Sequence, residues 1–122
     1  MARVLLIDDD EEHRTLARRI LEGVGHQVEE AGDGAEGLRH FGKSRPDVVL
    51  TDISMPRLDG HEVISAIRVL NTGVPIIAIS GGSAIAKDDL LLKAAKLGAV
   101  EVITKPFEFR QLVGAVSRAL GK

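Results

Sequence analysis

Three aspartates, Asp8, Asp9 and Asp10, follow directly on the apolar run VLLI at residues 4–7, and two glutamates come next. Like charges held about 4 Å apart repel by about 4 kcal/mol per pair near a protein surface. A bound cation would offset that repulsion, and carboxylate oxygens are ligands for hard divalent cations such as Mg²⁺. The cluster therefore indicates a metal site, with helix capping as the alternative for Asp9 or Asp10.

Polar residues also follow three later apolar runs. Asp52 comes after DVVLT, Ser80 ends PIIAIS, and Lys105 follows AVEVIT. Beside a divalent cation, Asp52 can act as a nucleophile toward a phosphoryl group and form an aspartyl-phosphate. A hydroxyl and a lysine opposite the carboxylates could stabilise the phosphoryl oxygens. Each residue alone could be an ordinary turn or loop residue, but the joint pattern favours a functional site.

Short apolar runs alternate with segments of helical spacing, which predicts five βα units. The runs are VLLI (4–7), HQVEEA (26–31), DVVLT (47–51), PIIAIS (75–80) and AVEVIT (99–104). The first, third and fourth are continuously apolar, as in central strands covered on both faces, whereas the second and fifth suit edge strands. Right-handed crossovers place the carboxyl ends of all strands at one edge. We therefore predict an α/β, doubly wound, five-stranded parallel sheet with five helices.

Two helices show clear apolar stripes. The first stripe is Leu16, Ile20, Leu21 and Val24, and the last is Phe109, Leu112, Val113, Val116 and Leu120. Gly23, Gly42, Gly73 and Gly98 are predicted to mark helix ends. Arg14, Arg18 and Arg19 on the first helix are interpreted as a solvated face.

Composition bounds the class of protein. A chain of 122 residues is long enough for one core, and we expect a single domain over residues 1–122. A net charge of −2 gives no case for binding nucleic acid or an anionic membrane. No apolar run approaches the roughly 20 residues that span a bilayer, and the absence of cysteine excludes disulfide and thiolate chemistry. We expect a cytoplasmic location.

Four segments, VLLIDDD, DVVLTDISMPRLDG, IIAISGG and GAVEVITKPF, together resemble the response-regulator receiver domains of two-component signalling, the CheY-like family. The resemblance covers essentially all of the chain. It implies a flavodoxin-like strand order of 2-1-3-4-5. It also implies that Asp52 is the phosphoacceptor and that Ser80 and Lys105 contact the phosphoryl group. The implied Mg²⁺ ligands are Asp9, Asp52 and the Ser54 carbonyl, with Asp8 acting mainly through a water molecule.

The resemblance also implies a function. Such a domain takes a phosphoryl group from a histidine kinase or phosphotransfer protein, and catalyses only its own phosphorylation and dephosphorylation. It signals through contacts with a downstream protein target or output domain, and it binds neither nucleic acid nor membrane itself. Arg14, Arg18 and Arg19 could contact an acidic kinase surface, as an alternative to the solvated face.

Departures from the family pattern leave alternatives open. Val102 stands where the family usually has an aromatic residue, and we interpret it as a core residue of an edge strand. The stretch SGGSAIAKDDLL is expected to form a longer loop. A constitutive interaction module that has lost phosphorylation is the main alternative function. A haloacid-dehalogenase-type phosphatase is disfavoured because Ser54 stands where its second acid would be, and a flavin binder because the chain has no tryptophan or tyrosine.

Overall fold

Strands and helices alternate along the chain. A computed structural model of the protein describes residues 2–53, 60–70, 73–80, 92–104 and 107–121. The strands are β1 (Arg3–Ile7), β2 (Gln27–Ala31), β3 (Val48–Asp52), β4 (Ile76–Ser80) and β5 (Glu101–Thr104). The helices are α1 (Glu11–Gly23), α2 (Gly34–Ser44), α3 (Gly60–Leu70), α4 (residues 92–97) and α5 (Phe109–Ala119). The predicted succession of βα units is confirmed.

The five strands form one parallel sheet in the order β2-β1-β3-β4-β5. The three strands predicted to be central are central, and every residue of β3 and β4 is buried. In β2 the first four residues alternate between exposed and half-buried, as expected for a strand at the edge of the sheet. The α/β doubly wound architecture predicted from the apolar runs is therefore confirmed.

Helices cover both faces of this sheet. Leu5 and Ile7 of β1 point into a core completed by α2, α3 and α4, whereas Val4 and Leu6 point into a core completed by α1 and α5. Consecutive strand residues alternate between faces, so continuous apolar runs are needed to fill both cores. This packing holds the carboxyl ends of the central strands in fixed relative positions.

The helix ends agree only in part with the glycine pattern. α1 ends at Gly23 as predicted, and Gly98 has a φ of +118° just after α4. The prediction for Gly42 is wrong, because α2 continues to Ser44 and is capped by Arg45 in a left-handed conformation with φ 49°. A glycine inside a helix costs only about 1 kcal/mol, and Phe41 in the same turn is buried in the core. For Gly73, α3 ends at Leu70, and residues 71–72 lie outside the described part.

Three residues of the predicted apolar stripes face solvent. Leu16 and Val24 of α1 and Phe109 of α5 are 49%, 42% and 54% exposed. The buried residues of α1 are Ala17 and Leu21, of which the predicted stripe included only Leu21. None of the described helices combines the length and the apolar character that crossing a membrane requires.

α2 packs closely on β1 at Gly37. A Cβ added to Gly37 would lie 2.5 Å from Cδ1 and 2.7 Å from Cγ1 of Ile7. Both distances are far below an ordinary van der Waals contact. Glycine at this position lets α2 approach the strand that leads into Asp8 without displacing the Ile7 side chain.

Candidate functional site

The carboxyl ends of the four strands β1, β3, β4 and β5 lie at the same edge of the sheet. Asp52 and Ser80 are the last residues of β3 and β4, and Asp8 follows the last residue of β1. Ser80 pairs in register with Thr104 at the end of β5. Ligands of doubly wound sheets bind at this edge, so the predicted site residues Asp8, Asp9, Asp52 and Ser80 are in the position expected of them.

Three carboxylates converge there. Asp8, Asp9 and Asp52 each offer an oxygen atom, and these atoms all lie within 4.8 Å of one another. Asp8 and Asp52 are 2% and 4% exposed, whereas Asp9 is exposed. Oxygen donors this close together are a suitable set for a hard divalent cation, which in turn would relieve their mutual repulsion. The donor set therefore fits Mg²⁺.

The backbone and side chain of Asp8 are both held by hydrogen bonds. Its N–H donates to the Ala31 carbonyl of β2 at 3.1 Å, and its carbonyl accepts from Nη1 of Arg14 at 2.8 Å. Its Oδ1 accepts from the Asp10 N–H at 2.9 Å. The loop that carries Asp8 and Asp9 is thus tied to β2 and to α1.

Asp10 is the N-cap of α1. Its Oδ1 accepts from the N–H groups of Glu12 and His13 at 3.0 and 3.2 Å, and its Oδ2 lies 3.0 Å from Nδ1 of His13. These bonds satisfy N–H groups that have no partner inside the helix. The capping alternative is therefore confirmed for Asp10, while Asp8 and Asp9 belong to the carboxylate cluster with Asp52.

The backbone around Asp52 is tightly packed. The Asp52 carbonyl accepts from Oγ1 of Thr51 at 3.0 Å, and the Ile53 N–H donates to the Ile79 carbonyl at 2.9 Å. The Gly60 N–H donates to the Ile53 carbonyl at 3.0 Å, and a Cβ at Gly60 would collide with the Asp52 carbonyl oxygen. The first residue of α3 thus packs directly against the backbone of Asp52 and Ile53.

Ser80 places a buried hydroxyl near the site. The residue is 1% exposed, and within the described part of the chain its Oγ has no hydrogen-bond partner. A buried hydroxyl without a partner costs about 1–3 kcal/mol. A polar group kept at such a cost at a strand end is a candidate to bind a ligand oxygen.

Two of the predicted site residues, Ser54 and Lys105, lie outside the described residues, as does the stretch 81–91. The interpretation of Val102 as a core residue is wrong, because Val102 is 38% exposed. It pairs with Ala78, which is fully buried in the central strand β4, but β5 is the edge strand of the sheet that the described residues form.

Arg14 is a residue whose role the sequence did not reveal. Only 19% of its side chain is exposed, and its Nε donates to Oε1 of Glu30 at 3.1 Å while Nη1 binds the Asp8 carbonyl. Arg18 also lies against Glu30, with Nε 3.0 Å from Oε2, and Arg19 is exposed. The interpretation as a solvated face therefore holds for Arg19 and is wrong for Arg14, because charged Glu30 of the edge strand lies beneath it.

Comparisons with known proteins agree with this geometry. The response regulator receiver domain family matches residues 4–117. The transcriptional regulatory protein PrrA of Mycobacterium leprae is 37% identical over 118 residues, which are 97% of this chain and 49% of PrrA. The chain thus spans about half the length of the curated relatives it matches.

Solved structures are similar over the whole chain. A response regulator receiver domain protein from Clostridium thermocellum has a TM-score of 0.91 at 31% identity, covering 99% of this chain and 95% of that one. The chemotaxis protein CheY4 of Vibrio cholerae has a TM-score of 0.88 at 31% identity, covering 98% and 99%. On the sheet order, the carboxylate cluster and these matches, the chain belongs to the response regulator receiver domain family.

Proposed function

We propose that this chain is a phosphorylation-dependent switch of a two-component phosphorelay. It accepts a phosphoryl group on Asp52 from a histidine kinase or phosphotransfer protein, in a Mg²⁺-dependent reaction. The observation that supports this best is the convergence of Asp8, Asp9 and Asp52, from two neighbouring strands, within 4.8 Å in a chain of the receiver-domain family.

The proposed Mg²⁺ ligands are Asp9, Asp52 and the carbonyl of Ser54, with Asp8 acting mainly through a water molecule. Bound Mg²⁺ supplies positive charge that offsets the carboxylate repulsion and the charge on phosphoryl oxygens. The donor set is all oxygen, and burial of Asp8 and Asp52 leaves Asp9 as the exposed member of the cluster. An exposed carboxylate beside two buried ones suits a site that a partner protein must reach.

Asp52 is the proposed nucleophile. One carboxylate oxygen attacks the phosphorus of the donor's phosphohistidine, so that an O–P bond forms while the N–P bond breaks. The electron pair stays on the donor's imidazole nitrogen, which takes up a proton. In dephosphorylation, water attacks the same phosphorus and the O–P bond to Asp52 breaks, which restores the carboxylate and releases phosphate. Beyond this transfer and hydrolysis on itself, we propose no enzymatic activity.

Ser80 is proposed to donate a hydrogen bond to a phosphoryl oxygen. Its buried Oγ has no partner among the described residues, so donation would satisfy it without breaking a bond within that part of the structure. Lys105 is proposed to pair with the phosphoryl oxygens from the end of β5. Both would stabilise the negative charge that the phosphoryl oxygens bring to the site.

The switch is proposed to act through proteins. Residues 1–122 would form one receiver domain in the cytoplasm that contacts its kinase and then a downstream target or an output domain. A net charge of −2 supports a domain that binds neither nucleic acid nor an anionic membrane by itself. The transcriptional regulatory protein PrrA is about twice as long as the region that matches this chain.

The test is phosphorylation with acetyl phosphate, followed by the intact mass of the full chain. We expect one phosphoryl adduct in the presence of Mg²⁺ and none after Asp52→Asn or without Mg²⁺. Asp47→Asn is the matched control, because Asp47 directly precedes the same strand and accepts from the Arg3 N–H at 2.8 Å. If the folded protein binds Mg²⁺ but forms no adduct, the proposal is overturned in favour of a constitutive interaction module.

A further inference from the structure

Arg14 connects three parts of the structure around the acidic cluster. From α1, its Nη1 donates to the Asp8 carbonyl at 2.8 Å, and its Nε donates to Glu30 of β2 at 3.1 Å. A planar guanidinium can hold two acceptors at fixed angles, which an ammonium group cannot do. The Arg14 side chain therefore holds the Asp8 backbone at a fixed position relative to β2, through directed hydrogen bonds as well as through charge.

The bonds around Asp8 act together. Its N–H donates to Ala31, the residue after Glu30, so one short segment of β2 holds Asp8 directly through Ala31 and indirectly through Arg14. Gly32 follows, and a Cβ added there would be in ordinary van der Waals contact with Nη1 of Arg14 at 3.5 Å, so the chain passes beside the guanidinium. Without Arg14, the Asp8 carbonyl would lose its side-chain donor, and the peptide leading to Asp9 could rotate.

We propose that Arg14 is a positioning residue that holds the Asp8–Asp9 peptide so that both carboxylates meet Asp52 around a divalent cation. The inference rests on the proposed function, because that cation is the Mg²⁺ of phosphoryl transfer. Arg14 does not itself touch the cation or the phosphoryl group; it acts through the backbone of Asp8.

The charge of Arg14 and its positioning role have opposite effects on cation binding. A positive guanidinium near the cluster repels a divalent cation, so loss of the charge alone would strengthen binding. Loss of the positioning bond would weaken binding, and residues that orient metal ligands typically change metal affinity by about 10- to 100-fold when mutated. The sign of the change therefore distinguishes the two roles.

The experiment is a calorimetric titration of Mg²⁺, and of Mn²⁺ as a second probe, into the full chain. We expect Arg14→Gln to raise the dissociation constant about 10-fold. Arg14→Lys keeps the charge without the planar donor pair and should also weaken binding. Arg18→Gln is the matched control, since Arg18 lies on the same helix and 3.0 Å from Glu30 but does not hold Asp8; its dissociation constant should stay close to that of the wild type.

Phosphorylation by acetyl phosphate gives a second measurement. Arg14→Gln should shift the Mg²⁺ concentration for half-maximal rate upward by the same factor, and leave the rate at saturating Mg²⁺ nearly unchanged. A general loss of structure would lower both rate and thermal midpoint. Should Arg14→Gln fail to fold, Glu30→Gln removes the anchor of the guanidinium on β2 and should weaken binding in the same direction by a smaller factor.

The inference is overturned by an unchanged or tighter dissociation constant in Arg14→Gln or by an equal effect in Arg18→Gln. If Arg14→Gln does not fold, unchanged binding in Glu30→Gln overturns it. Failure of the proposed function is a separate result. If the wild-type protein binds Mg²⁺ but forms no Asp52 adduct, calorimetry can still compare the Mg²⁺ affinities of wild type and Arg14→Gln. A wild-type protein that binds neither cation would overturn both.

Discussion

Gly60, the first residue of α3, lies directly against the backbone of Asp52. A Cβ at Gly60 would collide with the Asp52 carbonyl oxygen and lie 2.5 Å from the Ile53 Cα. The Gly60 N–H also donates to the Ile53 carbonyl at 3.0 Å. The missing side chain of Gly60 thus sets the distance between α3 and the residue proposed to accept the phosphoryl group.

Gly60→Ala is predicted to impair the site and the fold together. The new methyl group must displace backbone atoms, which cannot rotate away as a side chain can, and overpacking of this kind typically costs about 1–3 kcal/mol. Urea unfolding should show this loss, and adduct formation at Asp52 should slow in the fraction that is folded. Gly23→Ala, at a helical position with nothing within 4 Å, should neither lower stability nor slow adduct formation. Wild-type adduct formation in Gly60→Ala would contradict the prediction.

Ser80→Ala is predicted to separate stability from activity. Within the described residues the buried Oγ has no partner, so its removal should leave the free energy of unfolding unchanged or raise it by about 1 kcal/mol. Adduct formation should nevertheless slow, since a donor to the phosphoryl oxygens is lost. Thr51→Val removes a buried hydroxyl that does donate, to the Asp52 carbonyl, and should cost about 1 kcal/mol. Equal losses of stability in the two variants would argue against an unsatisfied Ser80.

Two glycines of α2 are predicted to respond to alanine with opposite signs. At Gly42 nothing lies within 4 Å of an added Cβ, so Gly42→Ala should stabilise the protein by about 0.5–1 kcal/mol. At Gly37 the new methyl group would meet Ile7 at 2.5 Å, and Gly37→Ala should destabilise by about 1–3 kcal/mol despite the better helix propensity. Chemical denaturation of both variants measures the difference, and a stabilised Gly37→Ala would show that α2 can move off β1 without cost.

The ion pair between Glu101 of β5 and Arg118 of α5 is predicted to respond to acid. Nε and Nη2 of Arg118 donate to the two carboxylate oxygens at 2.8 and 3.2 Å. These hydrogen bonds, more than the charge itself, hold the pKa of Glu101 below its ordinary value of 4.5. A lowered pKa means that the contribution to stability is present above that ordinary value and is lost as the pH falls through the lower, folded-state value.

Arg118→Gln should therefore raise the pKa of Glu101 toward its ordinary value, as measured by NMR titration of the side-chain carboxyl carbon. The thermal midpoints of wild type and variant should differ slightly at neutral pH and converge in acid, because exposed ion pairs contribute little. A Glu101 titration that is the same in both proteins would show that the pair seen here does not persist in solution.

The sheet and its acidic edge could be predicted from the sequence because both depend on short-range patterns. Continuous apolar runs such as VLLI and IIAI require burial on two faces, and this requirement alone separates central from edge strands. Right-handed crossovers then bring Asp8, Asp52 and Ser80 to one edge, whatever the details of packing. The capping role of Asp10 follows from its position before α1.

The remaining features depend on which residues meet across elements. Helical spacing places Arg14 on a side of α1 but does not reveal that Glu30 of β2 lies beneath it. Val102 is apolar and lies in a strand, yet it is 38% exposed on the edge strand β5, and its residue type alone does not reveal this. The end of α2 depends on Arg45, which takes up a left-handed conformation that sequence rules assign to glycine.

All four strand pairings are parallel, and this has a consequence for folding. A parallel pair cannot be closed by a tight turn. Asp8 and Asp52 therefore meet only when β1 pairs with β3, two strands that α1, β2 and α2 separate in the sequence. A cation that needs both carboxylates therefore binds the folded chain and not the unfolded one. At a concentration 100 times its dissociation constant it would add about 2.7 kcal/mol to the free energy of unfolding. The cellular supply of divalent cation would thus influence how much of the protein survives proteolysis, in addition to whether it can be phosphorylated.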